Sequence, residues 1–205
     1  MTKFLSVSGR AAVNKALHPL GSALVRAGVS ANAVTLVGTA AAVAGAVLLV
    51  TRGALLAGLI VVTVSVFTDL LDGAMARVKK SDGHFGALLD STMDRVADGA
   101  IFASLAYWLA ISGQHASAAA CLICLVAAQL VSYVKSRAEA LGARCDVGIA
   151  ERAERLVIIG VGTLAQVCGV PYALAVTLWI LAALTVFTVW QRVWYVRSQL
   201  NGDRR

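Results

Sequence analysis

Apolar stretches long enough to cross a bilayer, separated by short charged loops, decide what this chain can be. They run at roughly Ala33 to Val50, Ala54 to Phe67 and on toward Asp72, Leu88 to Ile111, Ala116 to Val134, Leu156 to Val170 and Tyr172 to Val193. A helix needs about 20 apolar residues to cross the hydrocarbon of a membrane. The first, third, fourth and sixth stretches approach or exceed that length, the second reaches it only by carrying two aspartates at its end, and the fifth is short. Backbone groups in hydrocarbon must pair within their own segment, so each stretch is predicted as an α-helix. Composition agrees: 59% of the 205 residues are hydrophobic and 14% charged, with a mean hydropathy of +0.79. The expected fold is an all-α integral membrane domain of six transmembrane helices over residues 29–205.

Residues 1–28 read as an interfacial amphipathic helix. Phe4, Leu5, Val13, Leu17, Leu20, Leu24 and Val25 recur at roughly helical spacing, with Arg10, Lys15 and Arg26 between them. A mobile leader is the alternative. The segment from Met1 to Leu24 is too polar for a cleavable signal peptide. Gly28 breaks this helix, and Ser30 or Asn32 is placed to cap the first span, where Gly38, Ala42 and Gly45 allow close helix approach.

Charge sets the orientation. With the N-terminus inside, every one of the 18 lysines and arginines except Arg52 falls on or near one face, which makes that face cytoplasmic. The net charge of +7 is spread among loops rather than gathered in a soluble domain, so the expected partners are membrane lipid and anionic substrates, not nucleic acid. Cys121 and Cys124 form a C-x2-C without a second pair, and Cys145 and Cys168 are isolated; buried thiols are expected rather than a zinc site. With no internal repeat and no low-complexity tail, one membrane domain is the simplest organisation.

The ends of the second and third stretches carry the pattern D-x2-D-G-x2-A-R-x8-G-x3-D-x3-D: Asp69, Asp72, Gly73, Ala76, Arg77, Gly86, Asp90 and Asp94. In a helix, Asp69 and Asp72 point to about the same side, as do Asp90 and Asp94. Two helices joined by a polar turn from Arg77 to His84 would aim four carboxylates at one point. Left alone, four close anions repel and take up protons, so divalent cations are the economical solution. A third helix starting near Gly86 would also place Asp90 where a helix N-terminus favours an anion. Solvated helix ends would explain any single aspartate but not all eight positions. Asp98, one turn further, is an intramembrane acid that reads either as functional or as paired with a basic neighbour such as Arg95. His84 and His115 are not favoured as ligands.

This pattern resembles the signature of the CDP-alcohol phosphatidyltransferases, with every fixed position present. The resemblance implies attack of an alcohol hydroxyl on the β-phosphorus of a CDP-linked alcohol with release of CMP, usually with Mg²⁺ or Mn²⁺. Carried over by position, Asp69, Asp72, Asp90 and Asp94 hold two ions, and Asp94 is also the general base. Gly73 and Ala76 leave room for the nucleotide, and Arg77 supplies a charge-assisted phosphate contact. The resemblance adds nucleotide contacts at Asn32, Ala33, Val34 and Thr35 and near Ser81 and Gly83. It also implies a homodimer.

A second, basic cluster bears on the acceptor. Lys135 and Arg137 close the fourth span, Arg152 and Arg155 open the fifth, and Arg192 lies near the end of the sixth. Such a set exceeds what a hydroxyl-only acceptor requires and suits a phosphate dianion, which arginine grips with paired donors. Ordinary positive-inside residues are the plain alternative for any one of them. Glu139, Glu151 and Glu154 are placed to orient the arginines. The strings S-Y-V-K-x-R-A-E and E-R-x-E-R-L resemble the actinobacterial phosphatidylinositol-phosphate synthases, which implies CDP-diacylglycerol as donor and inositol 1-phosphate as acceptor. By that resemblance, Ser132, Lys135, Arg137, Arg152, Arg155 and Arg192 form the acceptor-phosphate pocket. Glycerol 3-phosphate, as used by phosphatidylglycerophosphate synthases, is the close alternative. A divalent-cation transporter would also cluster acids in a membrane, but here they lie at helix ends with no matching polar path beyond. A structural scaffold leaves the pattern unexplained.

Overall fold

A computed structural model of the chain describes residues 19–79 and 84–202; for residues 69, 70, 72, 74 and 76–79 it describes the backbone alone. All secondary structure among the described residues is helical. After a helical stretch at 19–26 come α1 (Ala31–Leu48), a 3-10 turn (Val50–Arg52), α2 (Leu55–Lys79), α3 (His84–Ile111), α4 (His115–Ala140), α5 (Arg152–Val167) and α6 (Ala173–Gly202). The six predicted stretches therefore correspond one to one with α1–α6. The chain is a membrane protein, but three segments among the described residues are both long and apolar enough to cross a bilayer: Ala31–Arg52, α4 and α6. The apolar part of α2 is the shorter Leu55–Thr68. Asp90, Asp94, Arg95 and Asp98 interrupt α3, and α5 has only 16 residues. Of the expected N-terminal helix, residues 1–18 lie outside the described residues.

Local chemistry explains the boundaries. Ser30 Oγ accepts a hydrogen bond from the Ala33 amide (3.2 Å), so Ser30 is the cap of α1. Gly53, at φ +77°, closes the 3-10 turn while its amide donates to the Val50 carbonyl. A Cβ there would lie 2.7 Å from the indole nitrogen of Trp108, so glycine is required twice over. The helices outrun the apolar stretches at their charged ends. α4 continues through Lys135, Arg137 and Glu139, and α2 continues through Arg77 to Lys79. Long charged side chains are good helix formers, and hydropathy registers only the apolar part of each helix. Of the expected polar turn from Arg77 to His84, residues 77–79 and 84 are helical, and residues 80–83 lie outside the described residues.

The chain divides into two compact units. The first takes the N-terminal part to Gly45 together with Ile60–Ala97. In it the predicted small-residue face of α1 meets α2. A Cβ on Gly38 would collide with Thr68 Oγ1, one on Gly45 would come within 2.6 Å of Val61 Cγ1, and Ala42 is buried. The second unit takes Ala46–Leu59 and Asp98 onward. Its core includes Phe102, Leu105, Leu109, Cys121, Cys124, Ile159, Leu174, Leu178 and Leu181, with α4 and α5 both packed on α6. Gly162 makes that packing close, since a Cβ would stand 2.6 Å from Thr177 Cβ. Cys121, Cys124 and Cys145 are buried as expected, whereas Cys168 is exposed in the turn before α6.

Candidate active site

The motif occupies two helices of the first unit. Asp69 and Asp72 fall at i, i+3 within α2, and Asp90 and Asp94 at i, i+4 within α3. Of the last two, Asp90 is exposed and Asp94 half-buried. Because α3 starts at His84 rather than near Gly86, its first turn holds no acid. The anion-favouring field of a helix start fades within one turn, so it does not account for Asp90, and that expectation is corrected. Four carboxylates make an all-oxygen donor set of the kind hard divalent cations take. Among the described residues no three His, Cys, Asp or Glu side chains converge, and the side chains of Asp69 and Asp72 are not among those described.

Gly73 is half-buried inside α2, where glycine costs about 0.5–1 kcal/mol relative to alanine. Gly86 meets the start of α1: a Cβ would lie 3.4 Å from Asn32 Oδ1. The structure thus brings Asn32, one of the expected nucleotide contacts, beside a fixed glycine of the motif. Of its neighbours, Ala33 is exposed, Val34 half-buried, and Thr35 buried with Oγ1 donating to the Ala31 carbonyl at 3.1 Å. For Ala76 and Arg77 only the helical backbone is described, and Ser81 and Gly83 lie outside the described residues.

The basic cluster belongs to the second unit and is organised by the connection 141–151. Arg192 is buried, and its guanidinium donates from Nε to the Val147 carbonyl (2.7 Å), from Nη1 to the Val131 carbonyl (2.7 Å) and from Nη2 to Glu151 Oε1 (3.1 Å). One side chain of α6 therefore ties α4, the connection and the start of α5 together. Two further fastenings help: the Ala150 amide donates to Thr188 Oγ1 (3.2 Å), and Gln199 exchanges hydrogen bonds with the Arg144 backbone (3.0 and 2.7 Å). Gly148, at φ +147°, lies so close to Arg192 that a Cβ would stand 3.2 Å from its Nε. Burial pushes the Cys145 thiol of this connection above its usual range. Lys135 is half-exposed, with its ammonium 4.0 Å from Glu139 and 3.8 Å from Asp146. Ser132 is half-buried beside Val131, and Arg137 is exposed.

Asp98 is the residue that sequence reasoning placed least well. Arg95 Nη1 donates to the Ser91 carbonyl of its own helix. Asp98 instead accepts from Arg155 Nη2 at 2.8 Å and Arg152 Nε at 3.3 Å. Its burial in an apolar helix signalled a partner, but not one more than fifty residues away. Of the three glutamates expected to orient arginines, Glu151 does so for Arg192, while Glu139 faces Lys135. Glu154 Oε2 is buried with no partner among the described residues.

The chain is thus a helical membrane protein with paired aspartates on two successive helices and a separate set of fixed arginines. The sequence model of the CDP-alcohol phosphatidyltransferases matches residues 28–190, and the chain belongs to that family. It is a transferase of phospholipid synthesis. It is 48% identical over 193 residues to a phosphatidylinositol phosphate synthase of Mycolicibacterium smegmatis, covering 92% of this chain and 87% of the relative. Identity to the Mycobacterium tuberculosis H37Rv enzyme of that name is 45% over 190 residues, covering 90% and 87%. The crystal structure of M. tuberculosis phosphatidylinositol phosphate synthase with CDP-DAG bound superposes with a TM-score of 0.84 at 44% identity, covering 88% of this chain and 92% of that one. The same enzyme in complex with manganese and citrate gives a TM-score of 0.84 at 44% identity, covering 89% of each.

Proposed function

We propose that this chain is a multi-pass cell-membrane enzyme that transfers the phosphatidyl group of CDP-diacylglycerol to a hydroxyl of inositol 1-phosphate, giving phosphatidylinositol phosphate and CMP. The observation that carries the reading is the complete eight-position motif, set on two helices of one compact unit, in a chain 48% identical to a phosphatidylinositol phosphate synthase. The CDP-DAG and manganese complexes of a relative at 44% identity support the donor and the metal. α1–α6 would all cross the membrane after an interfacial helix in residues 1–28. The charge bias supports a cytoplasmic active site. A homodimer completes the reading.

Asp69, Asp72, Asp90 and Asp94 would hold two Mg²⁺ or Mn²⁺ ions, which when bound offset charge on the pyrophosphate. Asn32 to Thr35, Gly73, Ala76, Arg77, Ser81 and Gly83 would seat the nucleotide, the small residues admitting it and Arg77 engaging phosphate. Ser132, Lys135, Arg137, Arg152, Arg155 and Arg192 would recognise the acceptor's phosphate. Asp94 would take the proton of the attacking hydroxyl as its oxygen bonds to the β-phosphorus. The bond from that phosphorus to CMP then breaks, and CMP leaves with the electron pair. Purified protein given CDP-diacylglycerol and inositol 1-phosphate is expected to release CMP, to stop on chelation with EDTA and to resume when Mg²⁺ or Mn²⁺ is restored. Release that is indifferent to EDTA would contradict the assignment of the four aspartates.

A further inference from the structure

Asp98 lies outside the eight-position motif, yet its side chain is only 5% exposed. Each of its carboxylate oxygens is committed to a different arginine of the first turn of α5: Oδ2 to Arg155 Nη2 at 2.8 Å and Oδ1 to Arg152 Nε at 3.3 Å. One arginine would neutralise one buried carboxylate, so charge balance alone does not explain two. Nor is the arrangement well explained as a source of stability, because a buried ion pair seldom outperforms apolar packing of similar volume. What two oxygens on two guanidiniums achieve is orientation. A planar guanidinium held at Nε has its plane fixed, and donors fixed beforehand lose less freedom when they meet an anion.

The two arginines are held to different degrees. Arg155 is 2% exposed and is fixed again where Nη1 donates to the Ala150 carbonyl at 3.1 Å; its Nε is buried with no partner among the described residues. Arg152 is 23% exposed. The Arg152 side chain thus keeps some exposure, while that of Arg155 is buried and tied to the connection 141–151.

We infer that Asp98 is a positioning residue, holding Arg152 and Arg155 in the geometry that recognises the phosphate of the acceptor; the inference rests on the acceptor reading given above. Loss of a charge-assisted contact predicts that Asp98→Asn raises KM for inositol 1-phosphate about tenfold. KM for CDP-diacylglycerol and kcat should stay within about twofold of wild type, as expected when binding of one substrate alone is lost. Asp98→Glu keeps the charge but shifts it by one methylene, so it should fold and raise the acceptor KM by a smaller factor.

Wild-type protein that releases no CMP with inositol 1-phosphate would overturn the acceptor reading, and this inference with it, before any variant is made. If wild type is active, the inference alone is overturned by an unchanged acceptor KM in both variants. It is overturned equally by a loss of kcat that moves both KM values together, or by an Asp98→Asn that fails to fold beside an Asp98→Glu that behaves as wild type. An acceptor-specific KM rise in Asp98→Glu supports it whether or not Asp98→Asn folds.

Discussion

Replacing Asp94 by asparagine is expected to lower CMP release by about 10²- to 10⁴-fold, the range a general base contributes, while CDP-diacylglycerol still binds. Asparagine matches aspartate in size, and Asp94 is half-buried within α3, ten residues or more from either end of that helix, so the fold should survive. What disappears is the negative charge and the ability to take up a proton. Because Asp94 is also assigned to the metal, turnover should be compared across a wide range of Mn²⁺. Loss that persists at saturating metal identifies the proton-accepting role, and loss that saturating metal repairs assigns Asp94 to metal affinity alone. Near-normal turnover throughout would remove it from both roles.

The second large effect is expected at a residue that carries no charge of its own. Gly38 lies where α1 passes Thr68, the residue immediately before Asp69, and a Cβ there would collide with Thr68 Oγ1. Thr68 is not free to yield at no cost, because its hydroxyl donates to the Ser65 carbonyl at 2.6 Å. Overpacking of this kind costs about 1–3 kcal/mol, and a displacement of about 1 Å in a catalytic group can cost about 10²-fold in rate. Gly38→Leu is therefore expected to lower kcat about a hundredfold in protein that still folds. Gly38→Ala should be milder, and Thr68→Ala should restore part of its loss by removing the atom that the new Cβ meets. Strictly additive effects of Gly38→Ala and Thr68→Ala would show that the contact does not couple α1 to the motif helix.

The two predictions differ in how visible their residues were in the sequence. Asp94 was legible because the requirement is local: aspartates at i, i+3 and i, i+4 near the ends of apolar runs fall on helices, and α2 and α3 carry them so. Gly38, Ala42 and Gly45 announced a close approach by their size and spacing, although not that Val61 and Thr68 would be opposite. Helix ends were less legible, since hydropathy loses sight of a helix once it leaves hydrocarbon. That is why α3 starts before Gly86 and α4 outlasts Val134.

Least legible were the partners of buried charges. The sequence shows an acid at Asp98 and arginines at 152, 155 and 192, but pairing across 54 and 57 residues is decided by tertiary packing. Nothing in the chain's pattern announces that Arg192 meets the backbone carbonyls of Val131 and Val147. Carbonyls are present at every residue, so a guanidinium that binds them leaves no compositional trace. The basic cluster was thus visible as charge, whereas its division into an Asp98-held pair and an Arg192 fastening was not.

The reading of the chain as a transferase to a phosphorylated inositol is tested most directly by offering purified protein CDP-diacylglycerol and Mg²⁺ with inositol 1-phosphate, inositol, glycerol 3-phosphate or serine side by side, and following CMP and lipid product. The expected result is rapid CMP release and phosphatidylinositol phosphate with inositol 1-phosphate, and little with the other three. A preference for unphosphorylated inositol would contradict the role given to the arginines, a preference for glycerol 3-phosphate would reassign the acceptor, and no CMP with any of them would contradict the account as a whole.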